Sequence, residues 1–149
     1  MTELFEFMFE KVNIEQVGEL LVNLGFSDEN IRSVEVIPTF SYIDSRDFCL
    51  KVSSFIKTST EDVSIFINLN HVLFEFPINM IKPSIQIIKY DGNCDFSLLF
   101  ETSEFLIDSN IIYRLNHWCS AVGGKLSAQN YLFGLAPVDE EASIFVKLN

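Results

Sequence analysis

The sequence predicts an α+β fold: one domain over residues 1–149, a mainly antiparallel sheet of five to seven strands with flanking helices. Three observations predict it. From about Arg32 onward, apolar residues alternate with period two over consecutive stretches. Helical spacing is clearest near residues 14–24 and 110–122. No βαβ rhythm separates the alternating stretches, and short connections favour antiparallel pairing. A chain of 149 residues that is 48% hydrophobic, with mean hydropathy +0.25, has the apolar mass for one core. Its 6 Gly and 4 Pro exclude collagen-like and low-complexity folds.

The first ten residues read in two ways. Leu4, Phe5, Met8 and Val12 fit a helical stripe, while Phe5, Phe7 and Phe9 alternate like a strand; the acidic, unbranched residues between them favour helix. Next, Asn13 can cap a helix, with Gln16 three residues later completing a capping box. Ile14, Val17, Leu20, Leu21 and Leu24 recur at helical spacing, and Gly25 is a stop. Val34 and Val36 before Pro38 predict an edge strand or strand end. Phe48, Leu50 and Val52 alternate with polar or small residues and read as a strand. So do Val63, Ile65, Ile67 and Leu69; after Asn70-His71 the phase flips to Val72, Phe74 and Phe76, which requires a turn or bulge at 69–71. Ile85 to Tyr90, Asp91-Gly92-Asn93 and Cys94 to Glu101 form a hairpin signature, because Asp-Gly suits the tight primed turns. Asp108, Ser109 and Asn110 can cap a second helix, whose face is Ile111, Ile112, Leu115, Trp118, Cys119 and Val122, with Gly123-Gly124 as its stop. Tyr131 to Leu135 and Ile144 to Leu148 close the chain as strands.

Charge is the strongest functional clue. Lys+Arg is 10 against Asp+Glu 21, a formal net charge of −11 with a pI near 4.4. A magnitude of roughly 2–8 already keeps a small domain in solution. The excess repels phosphate backbones and anionic lipids, which argues against nucleic acid or membrane as a direct ligand. It serves either the solubility of an apolar sequence or the steering of a basic protein partner. Three widely spaced cysteines (Cys49, Cys94, Cys119) without a CxxC do not form a disulfide framework. The N-terminus carries Glu3, Glu6 and Glu10 through its apolar stretch, unlike a signal peptide, and the charge-free run Val63 to Phe74 is too short to span a bilayer. These features predict a cytoplasmic protein with reduced thiols. Of these, Cys94 beside the hairpin turn is expected to be the exposed one.

No catalytic, cofactor or metal constellation emerges. His71 and His117 lack metal spacing, and His117 and Cys119 point to different sides of one helix. There is no G-x-S-x-G elbow. Gly123-Gly124-Lys125-Leu126-Ser127 follows a helix where a phosphate loop must precede one. The expected chemistry is therefore recognition by acids in connections: Asp139, Glu140 and Glu141, Asp91 and Asp95, Glu61 and Asp62, with Asp28, Glu29, Asp44 and Asp47 as further loop carboxylates.

The tail from Tyr131 to Phe145, YLFGLAPVDEEASIF, resembles a "YxFGLEPA-D-T-FF" ending of immunity proteins from bacterial polymorphic toxin and contact-dependent growth-inhibition systems. It differs where Ala136 stands for an acid and Ala142-Ser143 for a polar-Thr pair. The resemblance implies a small cytoplasmic, non-enzymatic protein that binds and neutralises one cognate toxin domain. A basic, nuclease-type toxin would suit the acidity, since nucleases are cationic for their anionic substrate. The alternative is an acidic dimeric export chaperone for a secreted effector, whose apolar grooves would use some of the 15 phenylalanines.

Overall fold

The computed structural model describes residues 3–23, 31–37, 48–70, 80–102, 109–136 and 144–148. Its elements run β1 (Glu3–Glu10), α1 (Ile14–Asn23), β2 (Ile31–Ile37), α2 (Phe48–Thr58), β3 (Val63–Leu69), β4 (Ile81–Tyr90), β5 (Asn93–Thr102), α3 (Ser109–Lys125), β6 (Asn130–Leu135) and β7 (Ile144–Leu148). The seven strands form one sheet in the order β2-β3-β4-β5-β1-β6-β7, with antiparallel pairing throughout. The α+β expectation and the seven-strand count agree with the sequence reading.

The N-terminal segment corrects that reading: it is a strand, not a helix. Phe5, Phe7 and Phe9 all point into the core, and β1 lies between β5 and β6, where it buries them from both sides. Phe7 stacks on Phe133 at 4.3 Å and on Phe100 at 5.7 Å, and meets Trp118 of α3 at 4.9 Å. Each fully buried phenylalanine contributes about 1.5–3 kcal/mol, more than the local preference of glutamate or methionine for helix. The period of two wins because only a strand places all three rings in one layer.

The stretch from Phe48 is the second correction. Instead of a strand it forms α2, with Val52 and Ile56 buried four residues apart and Phe55 packed beside them. The helix meets α1, where the Gly18 N–H donates to Ser53 Oγ at 3.1 Å. Lys57 bonds Glu15 across the two helices at 2.5 Å; that hydrogen bond and the lysine's charge hold the Glu15 carboxyl below its usual range. Both side chains are mostly exposed, so the pair contributes little. At the end of α2 the Lys89 ammonium donates to the carbonyls of Ile56 and Ser59 at 2.8 and 2.6 Å, a cation on the negative end of a helix.

Helix α1 follows the expected capping only in part. Asn13 Oδ1 accepts the Glu15 N–H at 3.0 Å, but Gln16 does not turn back; its Oε1 accepts the Ser127 hydroxyl at 3.0 Å. Helix α3 runs through Gly123-Gly124 rather than stopping there, the third correction. Its stop is Ser127, in the left-handed region at φ 51. The Ser127 N–H donates to the Gly124 carbonyl at 3.2 Å and the Ala128 N–H to the Gly123 carbonyl at 2.9 Å, the paired bonds of a Schellman cap. Gly123 is present for proximity: a β-carbon there would lie 3.1 Å from Tyr131 Cδ1.

The hairpin β4–β5 turns at Asp91 and Gly92, with φ of 49 and 78, as a type I′ turn requires. β3 ends at Leu69, and the strand expected at Val72, Phe74 and Phe76 lies outside the described residues. Val17 and Leu21 of α1, Val52 and Ile56 of α2, and Leu115, Cys119 and Val122 of α3 join the strands' inward residues in one core. The described helices thus cover one face of the sheet.

Candidate partner-binding site

The segment after β1 builds one corner of the molecule. Lys11 takes a positive φ of 51, which turns the chain out of the sheet. Val12 N–H then donates to the Cys94 carbonyl at 2.8 Å, and Asn13 N–H to that of Leu126 at 2.8 Å. Gln129 N–H returns to the Glu10 carbonyl at 2.9 Å. The corner is therefore tied to β5 on one side and to the α3–β6 connection on the other. It is held by three backbone hydrogen bonds, each worth about 1 kcal/mol net.

Four of the seven acids singled out from the sequence converge there. Asp95, on the outward side of β5, accepts both the Lys11 N–H at 2.9 Å and the Tyr90 hydroxyl at 3.1 Å on Oδ1. Asp62, just before β3, accepts the Asp91 N–H at 3.2 Å, which links the α2–β3 connection to the β4–β5 turn. Glu61, Asp62 and Asp91 are exposed and Asp95 is half-buried. Glu10 ends β1 nearby and is felt by Tyr90. Burial, then the charge and hydrogen bond of Asp95, then Glu10, push the Tyr90 phenol up to about 12. Asp139, Glu140 and Glu141 lie outside the described residues.

The sequence did not single out Tyr90 or Glu10. The signal was available: once Asp91-Gly92 is read as a two-residue turn, Tyr90 faces Asn93 and Asp95 follows two residues on. Placing Glu10 beside them needs β1 to be a strand.

The thiols differ from expectation at one position. Cys94 is buried at 1% exposure, not exposed, because it points inward from β5 beside the turn. Burial, with the Asp95 charge, pushes its thiol up to about 12, and burial pushes the Cys119 thiol up as well. Neither has the depressed pKa of a nucleophile. Among the described residues no group of three or more His, Cys, Asp or Glu side chains is placed to hold a metal ion. No helix among them is long and apolar enough to cross a membrane.

None of the curated proteins matches the sequence. The structure superposes on a chain from the crystal structure of the toxic C-terminal tip of CdiA from Pseudomonas aeruginosa in complex with immune protein. The TM-score is 0.83 over 100% of this chain and 96% of that one, at 19% identity, a likeness of fold. Nothing in these comparisons supports the export-chaperone alternative. Residues 3–149 match the family model described as PABL017 Cdi1I immunity protein, and the chain belongs to that family.

Proposed function

We propose that this chain is the non-enzymatic inhibitor of one cognate toxin domain, that the domain is basic and of nuclease type, and that inhibition takes place in the cytoplasm. The acidic corner of Glu61, Asp62, Asp91 and Asp95 makes first contact, with Asp139, Glu140 and Glu141 as a further acidic contact segment. The observation that carries this reading is the convergence of three loop carboxylates and the β5 carboxylate Asp95 on one corner in a member of an immunity protein family. The net charge of −11 supports a cationic partner, because complementary fields accelerate encounter. The toxin-bound immune protein of similar fold supports a toxin domain as that partner. The unpaired state of Cys94 and Cys119 suits a reducing compartment.

The test is stopped-flow association with the purified, inactivated cognate toxin tip. The association rate should fall steeply with added salt, while dissociation changes little. Charge reversal of Asp62 and Asp91 together should lower the association rate by roughly 10-fold at low salt. Reversal of Asp139, Glu140 and Glu141 tests the second segment separately. A rate indifferent to salt would defeat the electrostatic reading, and loss of all effect in both variants would move the contact elsewhere.

A further inference from the structure

Among the described residues, charge is divided between the two sides of the sheet. The described helices carry Lys51, Lys57, Arg114 and Lys125 against Glu15 and Glu19, and α3 has no carboxylate along its 17 residues. The opposite side of the sheet, which no described helix covers, carries Glu10, Glu35, Asp95 and Glu101. Cations among the described side chains there are Lys82, whose ammonium lies 4.0 Å from Glu101, and Arg32 at the β2 bulge. Among the described residues the field therefore favours a basic partner on this side over the helix layer.

That side also carries an apolar centre. Phe66 and Ile88 sit half-buried on neighbouring strands, and Tyr90 continues the row to the acidic corner. By register Phe66 stands between Glu35 of β2 and Gln86 of β4, and Ile88 between Ser64 of β3 and Asp95 of β5. Along the middle of β1, β5 and β6 the same side is buried at Glu6 and Ser97 (4% exposure) and Leu132 (6%), while Leu4 at the start of β1 is 46% exposed. The outward positions of the β2–β4 half are half-buried to exposed throughout. Apolar groups with carboxylates at their edge are the arrangement of an interface core and rim.

We infer that the toxin domain docks on the β2–β4 half of this side of the sheet, with Phe66, Ile88 and Tyr90 as its apolar contacts. Its occupant is a basic surface of that domain, whose lysines and arginines meet Glu35, Asp95 and the corner carboxylates around an apolar centre. The inference rests on the toxin-binding reading above and adds the face that carries the affinity. The acids set the rate of arrival; the desolvated aromatic and aliphatic groups set the rate of departure.

Two outward polar positions test it without touching the core. Gln86→Arg and Ser64→Arg each place bulk and positive charge on the face, and Ile88→Glu removes its centre. Tyr113→Glu, at a side chain 70% exposed on α3, is the control on the opposite layer. Affinity for the inactivated toxin tip is read by surface plasmon resonance, and folding by thermal melting. Gln86→Arg and Ile88→Glu should each weaken binding by about 10-fold or more, chiefly through faster dissociation, while Tyr113→Glu stays within about twofold of the parent. If Ile88→Glu melts early, Gln86→Arg and Ser64→Arg decide. Parental affinity in those two, or loss of binding in Tyr113→Glu, overturns the docking face and leaves the toxin-binding reading intact. Failure of the unmodified chain to bind the toxin tip overturns both.

Discussion

The adjacent glycines of α3 allow one substitution to be tried at two sites with opposite expected signs. Glycine in a helix interior is about 0.5–1 kcal/mol less favourable than alanine, so Gly→Ala starts with that gain at either position. At Gly124 a β-carbon would meet nothing within 4 Å, and the gain is kept. At Gly123 the same carbon would lie 3.1 and 3.5 Å from two Tyr131 ring atoms and 3.7 Å from Phe9 Cδ1. Tyr131 has a neighbour of its own, with ring centroids 6.2 Å from Phe9, so its retreat disturbs a second buried ring. Overpacking of this kind costs roughly 1–3 kcal/mol. Gly124→Ala should therefore stabilise by about 0.5–1 kcal/mol and Gly123→Ala destabilise by about 1 kcal/mol. For a chain of this size the separation in melting temperature is about 3–8 °C. Urea unfolding followed by Trp118 emission measures both, with equal m-values required so that only stability is compared. The double variant Gly123→Ala with Tyr131→Leu should recover most of the loss. Equal stabilisation at both sites would refute the argument, since it would mean that the Tyr131 ring yields at no cost.

Two further predictions concern the core and the corner. Phe7→Ala removes a ring at 0% exposure from contact with Phe133, Phe100 and Trp118 and should cost about 3–5 kcal/mol, seen as a melting temperature lower by about 6–20 °C; a loss under about 1 kcal/mol would mean that β1 is not central to the core. The Tyr90 phenol is raised from 10 to about 12 in the folded chain, so its contribution is complete below pH 10 and is lost as pH rises toward 12. Tyr90→Phe should flatten the decline in stability over that window, while the Cys94 thiol, raised from 9 to about 12, still produces a decline of the same sign. An unchanged alkaline slope in Tyr90→Phe, or an ordinary phenolate titration in the parent, would show that Tyr90 is not desolvated beside Asp95.

Local chemistry was legible where the chain solves its own geometry. Asp91-Gly92 announced a primed turn because both positions need positive φ, and Asn13 announced a helix start because its side chain caps the second helical N–H. The misreadings fall where distant packing decides. Phe5, Phe7 and Phe9 carry both periods at once, and the choice depends on β5 and β6, roughly ninety and more residues away. Phe48, Leu50 and Val52 mimic a strand, but Val52, Phe55 and Ile56 define the helical face that actually packs. Gly123-Gly124 looks like a stop, and its neighbour Tyr131 explains the first glycine instead. The candidate site was legible as residue types but not as a place. Asp62 and Asp91 are separated in sequence, and pairing of β3 with β4 is what brings them within a hydrogen bond.

The central position of β1 sets the order in which the protein can be completed. Its two hydrogen-bonding neighbours are β5, which begins at Asn93, and β6, which begins at Asn130. Three phenylalanines must therefore leave the ribosome and wait without partners while most of the chain is still being made. At about 5–20 residues per second the wait for β5 is on the order of 5–20 s, and that for β6 on the order of 6–25 s. During this wait the segment exposes alternating aromatic rings, with Glu6 between them and Glu10 after them as charges that discourage self-association. A shortened chain lacking β6 would leave one side of β1 unpaired, so the sheet cannot close until β6 has been made.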